Sequence, residues 1–171
     1  MTKLMENVLI IGRIDSRQYQ LHLEPIDILN FCQSYIENIL SITSSKIKVN
    51  YFFSEDLTNV KADENLLGLI LTNLFSNAVK YSGKSDKIDI YIDCLKGKII
   101  LIIRDYGIGI PQEDKVHLFN TFYRASNVGN IAGYGLGLYI VKRCIDVYQG
   151  LIEIESTVGE GTQFTITLPF E

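Results

Sequence analysis

Lys98-Ile-Ile-Leu-Ile-Ile-Arg-Asp105-Tyr-Gly107-Ile-Gly109-Ile-Pro111 is the stretch whose reading decides the fold. Ile99 to Ile103 is a continuous apolar run, the pattern of a central strand buried on both faces. Upstream, Ile88, Ile90, Ile92 and Cys94 alternate with Asp89, Tyr91 and Asp93, the period of a half-buried strand. Lys96-Gly97 supplies the turn between them.

Working outward, Asp63 is placed to N-cap a long helix running to about Tyr81. Ile47 to Phe53 reads as a strand. Ile28, Leu29, Cys32, Tyr35, Ile36, Ile39 and Leu40 give helical periodicity from about Pro25 to Ser41, and a short strand is expected near Tyr19 to Leu23. Downstream, Asp105 to Gly137 is loop-rich, with one short helix near Glu113 to Phe119. A helix follows over roughly Leu136 to Tyr148. Strands over Leu151 to Glu155 and Thr162 to Leu168 close the chain, joined by the turn Val158 to Gly161. This order of elements predicts an α/β sandwich of two layers, a sheet against helices.

Met1, Leu4, Val8 and Ile11 repeat at heptad-like spacing, too short a seam to hold a coiled coil alone. The 171 residues suit one domain plus a short arm, and 47% hydrophobic with 21% charged is globular composition. A net charge of −4 with no basic block argues against nucleic acid as a partner. The longest apolar run is far too short to span a bilayer, and the N-terminus lacks a signal-peptide core. Cys32, Cys94 and Cys144 are widely spaced, with no CxxC pair, which fits buried small hydrophobes in a reducing, cytoplasmic compartment.

Three segments carry candidate chemistry. In Asn73-Leu-Phe-Ser-Asn77-Ala-Val-Lys80-Tyr81-Ser82 the residues Asn73, Asn77 and Lys80 share one helical stripe beside the apolar face of Leu67, Leu71, Leu74 and Ala78. Amide oxygens there suit Mg²⁺ and the lysine suits phosphate, although backbone caps and a solvated lysine explain the stripe equally well. Asp105 stands at a strand end, where a carboxylate enters a pocket and can accept from an exocyclic amine such as adenine N6. An Asp-initiated turn is the plainer alternative. Gly133-Tyr134-Gly135-Leu136-Gly137-Leu138 opens a helix, where backbone amides and the positive dipole end favour phosphate. It is neither a P-loop nor a dinucleotide fingerprint. More than twenty loop-rich residues separate these last two segments, a length that usually marks a lid.

Together and in this order, the boxes resemble the catalytic and ATP-binding domain of sensor histidine kinases, in the wider group shared with DNA gyrase, Hsp90 and MutL. The resemblance covers about residues 20–170. It implies the Bergerat ATP-binding fold, with a mixed sheet, helices on one face and a long ATP lid. Asn73 to Ser82 looks like the N box, implying Asn77 as the Mg²⁺ ligand, Asn73 beside the phosphates, and Lys80 and Tyr81 on phosphate and sugar. Asp105-Tyr-Gly107-Ile-Gly109-Ile110 looks like the box that reads the adenine amine. Leu118 to Arg124 is similar to the F box, with Phe122 at the nucleotide and Arg124 reaching the phosphates. Gly133 to Leu138 looks like the phosphate end of the lid. Gly159-Glu-Gly161-Thr162 resembles the closing turn, with Thr162 near the adenine.

By the same resemblance, residues 1–14 look like the end of a dimerisation helix, 15–26 a connector, and 27–171 the catalytic domain. Neither histidine fits the family's phospho-accepting site: His22 is followed by Leu23 and His117 by Leu118, not by an acidic residue. The implied partners are therefore ATP and ADP, dimerisation helices carrying the accepting histidine, and a response-regulator receiver domain. The chain itself is expected to be a monomer and its parent a homodimer. The alternatives are an ATPase clamp of the gyrase and Hsp90 kind, or a nucleotide-binding scaffold without catalysis. Against the clamp, Asn73 stands where those relatives carry a general-base glutamate, and an amide takes no proton near pH 7.

Overall fold

The computed structural model describes residues 3–57 and 59–170. Met1 of the N-terminal seam, and the side chain of Leu4, lie outside the described residues. The chain runs α1 (Lys3–Asp15), β1 (Glu24–Pro25), α2 (Ile28–Thr43), β2 (Lys48–Phe53), β3 (Lys61–Ala62), α3 (Glu64–Lys80), β4 (Lys87–Leu95), β5 (Lys98–Asp105), a 3₁₀ turn (Lys115–His117), α4 (Gly137–Val147), β6 (Leu151–Thr157) and β7 (Gly161–Pro169).

Five strands form one mixed sheet in the order β2-β4-β5-β7-β6. β2 is parallel to β4, and the other pairings are antiparallel. The register aligns apolar residues into rows on one face: Ile90, Ile103, Phe164 and Ile154, then Ile92, Leu101, Ile166 and Ile152. Against those rows pack Ile28, Cys32, Ile36 and Ile39 of α2, the largely buried α3, and Ile140, Val141, Cys144 and Ile145 of α4. α3 lies between the other two helices, which is why Leu66, Leu67, Ile70, Leu71, Leu74 and Phe75 are all buried. The fold is the expected two-layer α/β sandwich, with its sheet covered by helices on one face.

That single cover corrects the reading of Ile99 to Ile103 as buried on both faces. Ile99, Leu101 and Ile103 are about 1% exposed, whereas Ile100 and Ile102 are only half-buried. They lie on the open face, where Ile102 stands opposite Tyr91, and Tyr91 stacks on Phe52 at 4.6 Å. Aromatic neighbours shelter the apolar run there in place of a second helical layer.

Three local expectations also shift. The strand sought near Tyr19 to Leu23 is the two-residue β1, paired with β3. Residues just before it are tied instead to Asp63, whose carboxylate accepts from the Tyr19 hydroxyl and the His22 amide. α2 starts at Ile28 because Asp27, not Pro25, provides the cap, accepting from Asn30 N. Between 113 and 119 only the 3₁₀ turn forms.

Asp63 does N-cap α3, accepting from Asn65 N and Leu66 N. Its own amide donates to the Tyr148 hydroxyl at 2.7 Å, which links the cap to the end of α4. Ile14 of α1 enters the core, and Asp15 pairs with Arg143 of α4. The opposite side of α1 leaves Met5, Val8 and Leu9 more than half exposed.

Candidate functional site

The end of α3, the turn after β5, the segment 118–138 and the start of β7 enclose a cavity of about 410 Å³. That volume is in the range of small-molecule sites. Its wall includes Asn73, Asn77, Lys80, Tyr81, Asp105, Gly109, Ile110, Arg124, Gly133, Tyr134, Gly135, Leu136, Gly137, Leu138 and Thr162. Two of the residues singled out from sequence are not on the wall. Phe122 has φ 64° and is 69% exposed, its amide bonded to Gly135 O. Gly107 is pressed against backbone instead.

A Cβ on Gly107 would lie 1.9 Å from Tyr81 O. Only a residue without a side chain lets the turn after β5 reach the end of α3, where Ile108 N donates to Tyr81 O at 3.1 Å. Gly107→Ala is therefore expected to cost about 3 kcal/mol or more of stability, because backbone rather than a flexible side chain must give way. Urea unfolding of the variant checks it.

Asp105 is 6% exposed. Its Oδ1 accepts from Gly107 N at 2.9 Å and from Thr162 N at 3.3 Å. Burial pushes this carboxyl up to about 6, against the opposing pull of those two amides. Oδ2 takes no hydrogen bond from the described residues. The carboxylate is thus under-satisfied for its burial, and a donor arriving in the cavity would relieve it.

A second part of the wall is cationic. Lys80 Nζ lies 5.7 Å from the Tyr81 ring centroid. A side chain on Gly133 would come 3.5 Å from that ammonium and 3.8 Å from the Tyr81 hydroxyl, so the glycine backbone roofs this corner. Burial raises the Tyr81 phenol, and the nearby Arg124 guanidinium partly offsets that. Arg124 itself donates to Ile131 O within the segment. α4 begins here without a side-chain cap, so its first amides remain available to an anion. Asn73 donates Nδ2 to Leu69 O, which turns Oδ1 toward Gly137 at the start of α4. Asn77, one turn later, lines the cavity.

Three residues at the site carried no mark in the sequence. Asp114 accepts from the Tyr123 hydroxyl and from the amide and hydroxyl of Ser126, which anchors the first part of the long segment. Asn127 donates Nδ2 to Gly109 O. Ser156 reaches Ile110, Gly161 and Thr162. Each acts through long-range hydrogen bonds that leave no periodic signal.

A buried carboxylate, a cationic corner at a helix start, and a glycine-rich roof line one cavity. Residues 62–171 match the family described as histidine kinase-, DNA gyrase B- and HSP90-like ATPase. The chain belongs to that family. Sensor kinases are among its relatives in the family. The chain is 32% identical to the adaptive-response sensory kinase SasA of Synechocystis over 171 residues, 99% of this chain and 45% of the relative. It is 31% identical to the sensor histidine kinase WalK of Bacillus subtilis over 175 residues, 100% of this chain and 29% of the relative. The chain therefore spans less than half the length of these curated relatives. The structure of full-length ShkA in complex with AMPPNP superposes with TM-score 0.83 at 26% identity, covering 98% of this chain and 35% of that one. The Acinetobacter baumannii histidine kinase AdeS, at 24% identity, shares the fold with TM-score 0.80, covering 98% and 77%. Within the family, the chain corresponds to the catalytic ATP-binding domain of histidine kinases.

Proposed function

We propose that this domain binds ATP with Mg²⁺ and donates the γ-phosphate to a histidine on the dimerisation helices of a sensor histidine kinase, for relay to a response-regulator receiver domain. The observation that carries this reading is the meeting of Asp105 and Thr162 with Asn77, Lys80, Arg124 and the uncapped start of α4 around one cavity. Asp105 would accept from the adenine amine. Lys80, Arg124 and the α4 amides would offset phosphate charge, which is most of what phosphoryl transfer needs from a protein. Asn77 offers a neutral hard oxygen, fitting a metal that takes few protein ligands and shares phosphate oxygens. When bound, Mg²⁺ supplies charge neutralisation on those phosphates.

Position 73 supports transfer to protein over hydrolysis. Its side chain is an amide already bonded to Leu69 O, so no general base stands there to activate water. In the transfer the γ-phosphorus leaves the bridging oxygen of ADP and bonds a histidine nitrogen. On this reading residues 1–14 end a dimerisation helix, 15–26 connect it, and 27–171 are the catalytic domain, working in the cytoplasm. Among the described residues no helix is long and apolar enough to cross a membrane.

The test supplies dimerisation helices bearing an intact histidine in trans, from a parent kinase whose own nucleotide site is disabled. Acid-labile, base-stable phosphate on that histidine is expected only when both are mixed with ATP. Rapid release of inorganic phosphate by the chain alone, with no phosphohistidine in the mixture, would favour an ATPase clamp.

A further inference from the structure

The corner of the cavity around Thr162 holds a hydrogen-bond chain whose proton directions follow from counting. Ser156 Oγ lies 2.8 Å from Ile110 N, 2.9 Å from Gly161 O and 2.8 Å from Thr162 Oγ1. A serine hydroxyl has one proton and two acceptor lone pairs. The Ile110 amide occupies one lone pair. The Gly161 carbonyl has no proton to give, so its contact takes the serine proton. The third contact must then be donated by Thr162 to the remaining serine lone pair. With its own proton committed, the Thr162 hydroxyl has only lone pairs to present to the cavity it lines.

We propose that Ser156 is a specificity-determining positioning residue, which locks the Thr162 hydroxyl as an acceptor so that the cavity selects a 6-aminopurine over a 6-oxopurine. The proposal rests on the nucleotide-site reading above and refines it. Asp105, when ionised, is also acceptor-only, and its Oδ1 holds the Thr162 amide. Two acceptors thus share this part of the wall. A 6-amino group brings two N–H donors to them. A 6-oxo group brings lone pairs against lone pairs, and buried acceptors left unpaired give a site its discrimination. Ser156 also has its carbonyl held by Lys115 Nζ at 2.7 Å, so the strand end keeps an anchor when the hydroxyl is removed.

The test measures ADP and IDP affinities by calorimetry at pH 8, where Asp105 is ionised. The proteins are the unaltered chain, Ser156→Ala, Thr162→Val and the double variant. The unaltered chain is expected to prefer ADP. In Ser156→Ala the Thr162 proton loses its acceptor and can turn toward a 6-oxo group. The ADP-to-IDP preference should then fall roughly tenfold, the weight of one hydrogen bond. Thr162→Val should also lower the preference, and adding Ser156→Ala to it should change the preference no further. Equal weakening of both nucleotides by Ser156→Ala would make Ser156 a strut for Ile110 and overturn the proposal. A further drop in preference in the double variant overturns it as well. If the unaltered chain binds neither nucleotide, the nucleotide-site reading falls and this proposal with it. If it binds ADP but Ser156→Ala leaves the preference intact, the proposal alone falls.

Discussion

Asp105→Asn is expected to weaken nucleotide binding and strengthen the fold at the same time. The amide keeps one oxygen for Gly107 N and Thr162 N, so the turn after β5 survives. What it turns to the cavity is an N–H in place of an acceptor, which on the proposed reading would face the amine of the base. The loss of one charge-assisted hydrogen bond, about 1.5–3 kcal/mol, corresponds to roughly a 10- to 150-fold weaker complex. The stability effect has the opposite sign and a defined pH window. The carboxyl is raised in the folded chain, from 3.8 to about 6, chiefly by burial. Below about pH 4 both folded and unfolded forms are protonated and the group costs nothing. As pH rises through the interval to 6, the unfolded chain ionises first and stability falls by about 1.4 kcal/mol per unit, up to roughly 3 kcal/mol, and stays lower above it. Asparagine has no such term. Urea unfolding at pH 4 and pH 8 should show the variant gaining on the unaltered chain only at the higher pH. A gain of equal size at both would mean that burial of the charge is not the cause. Binding of adenosine, which has no phosphate to titrate, should weaken as the pH drops below 6 in the unaltered chain alone.

Asp63→Ala is expected to cost about 3 kcal/mol or more, or on the order of 10 °C in Tm for a domain of this size. The carboxylate is 2% exposed and accepts from two amides of α3, from the Tyr19 hydroxyl and from the His22 amide. Alanine removes the helix cap and strands four donors around one buried point. Asp63→Asn retains one oxygen for the cap but turns an N–H toward other donors, so its loss should be smaller. A thermal melt of both variants checks the order. No loss in Asp63→Asn would show that the cap alone matters and that the segment 19–22 is not held through this residue.

How much of this was legible in the sequence depended on whether the signal was local. The alternation at Ile88 to Cys94, the Lys96-Gly97 turn and the cap at Asp63 are encoded within a few residues, and each stands in the structure where its pattern put it. The run Ile99 to Ile103 reads as buried on both faces but is covered by helices on one, because periodicity reports how apolar a strand is, not how many layers cover it. Asp27 rather than Pro25 starts α2, since a side-chain oxygen that satisfies Asn30 N outweighs a ring that merely tolerates the first turn. The glycine and asparagine boxes pointed at one cavity from segments far apart in the chain. Asp114, Asn127 and Ser156 did not, because a polar residue in a loop looks the same whether its partner is water or a backbone group 18 or 46 positions away.

On the proposed function one cavity takes ATP, with the metal held from Asn77. Calorimetric titration of ATP with and without Mg²⁺, on the unaltered chain and on Asn77→Ala, tests it most directly. Binding is expected in both proteins, tightened by Mg²⁺ in the unaltered chain and insensitive to Mg²⁺ in the variant. Equal Mg²⁺ enhancement in both proteins, or no binding of ATP under either condition, would contradict it.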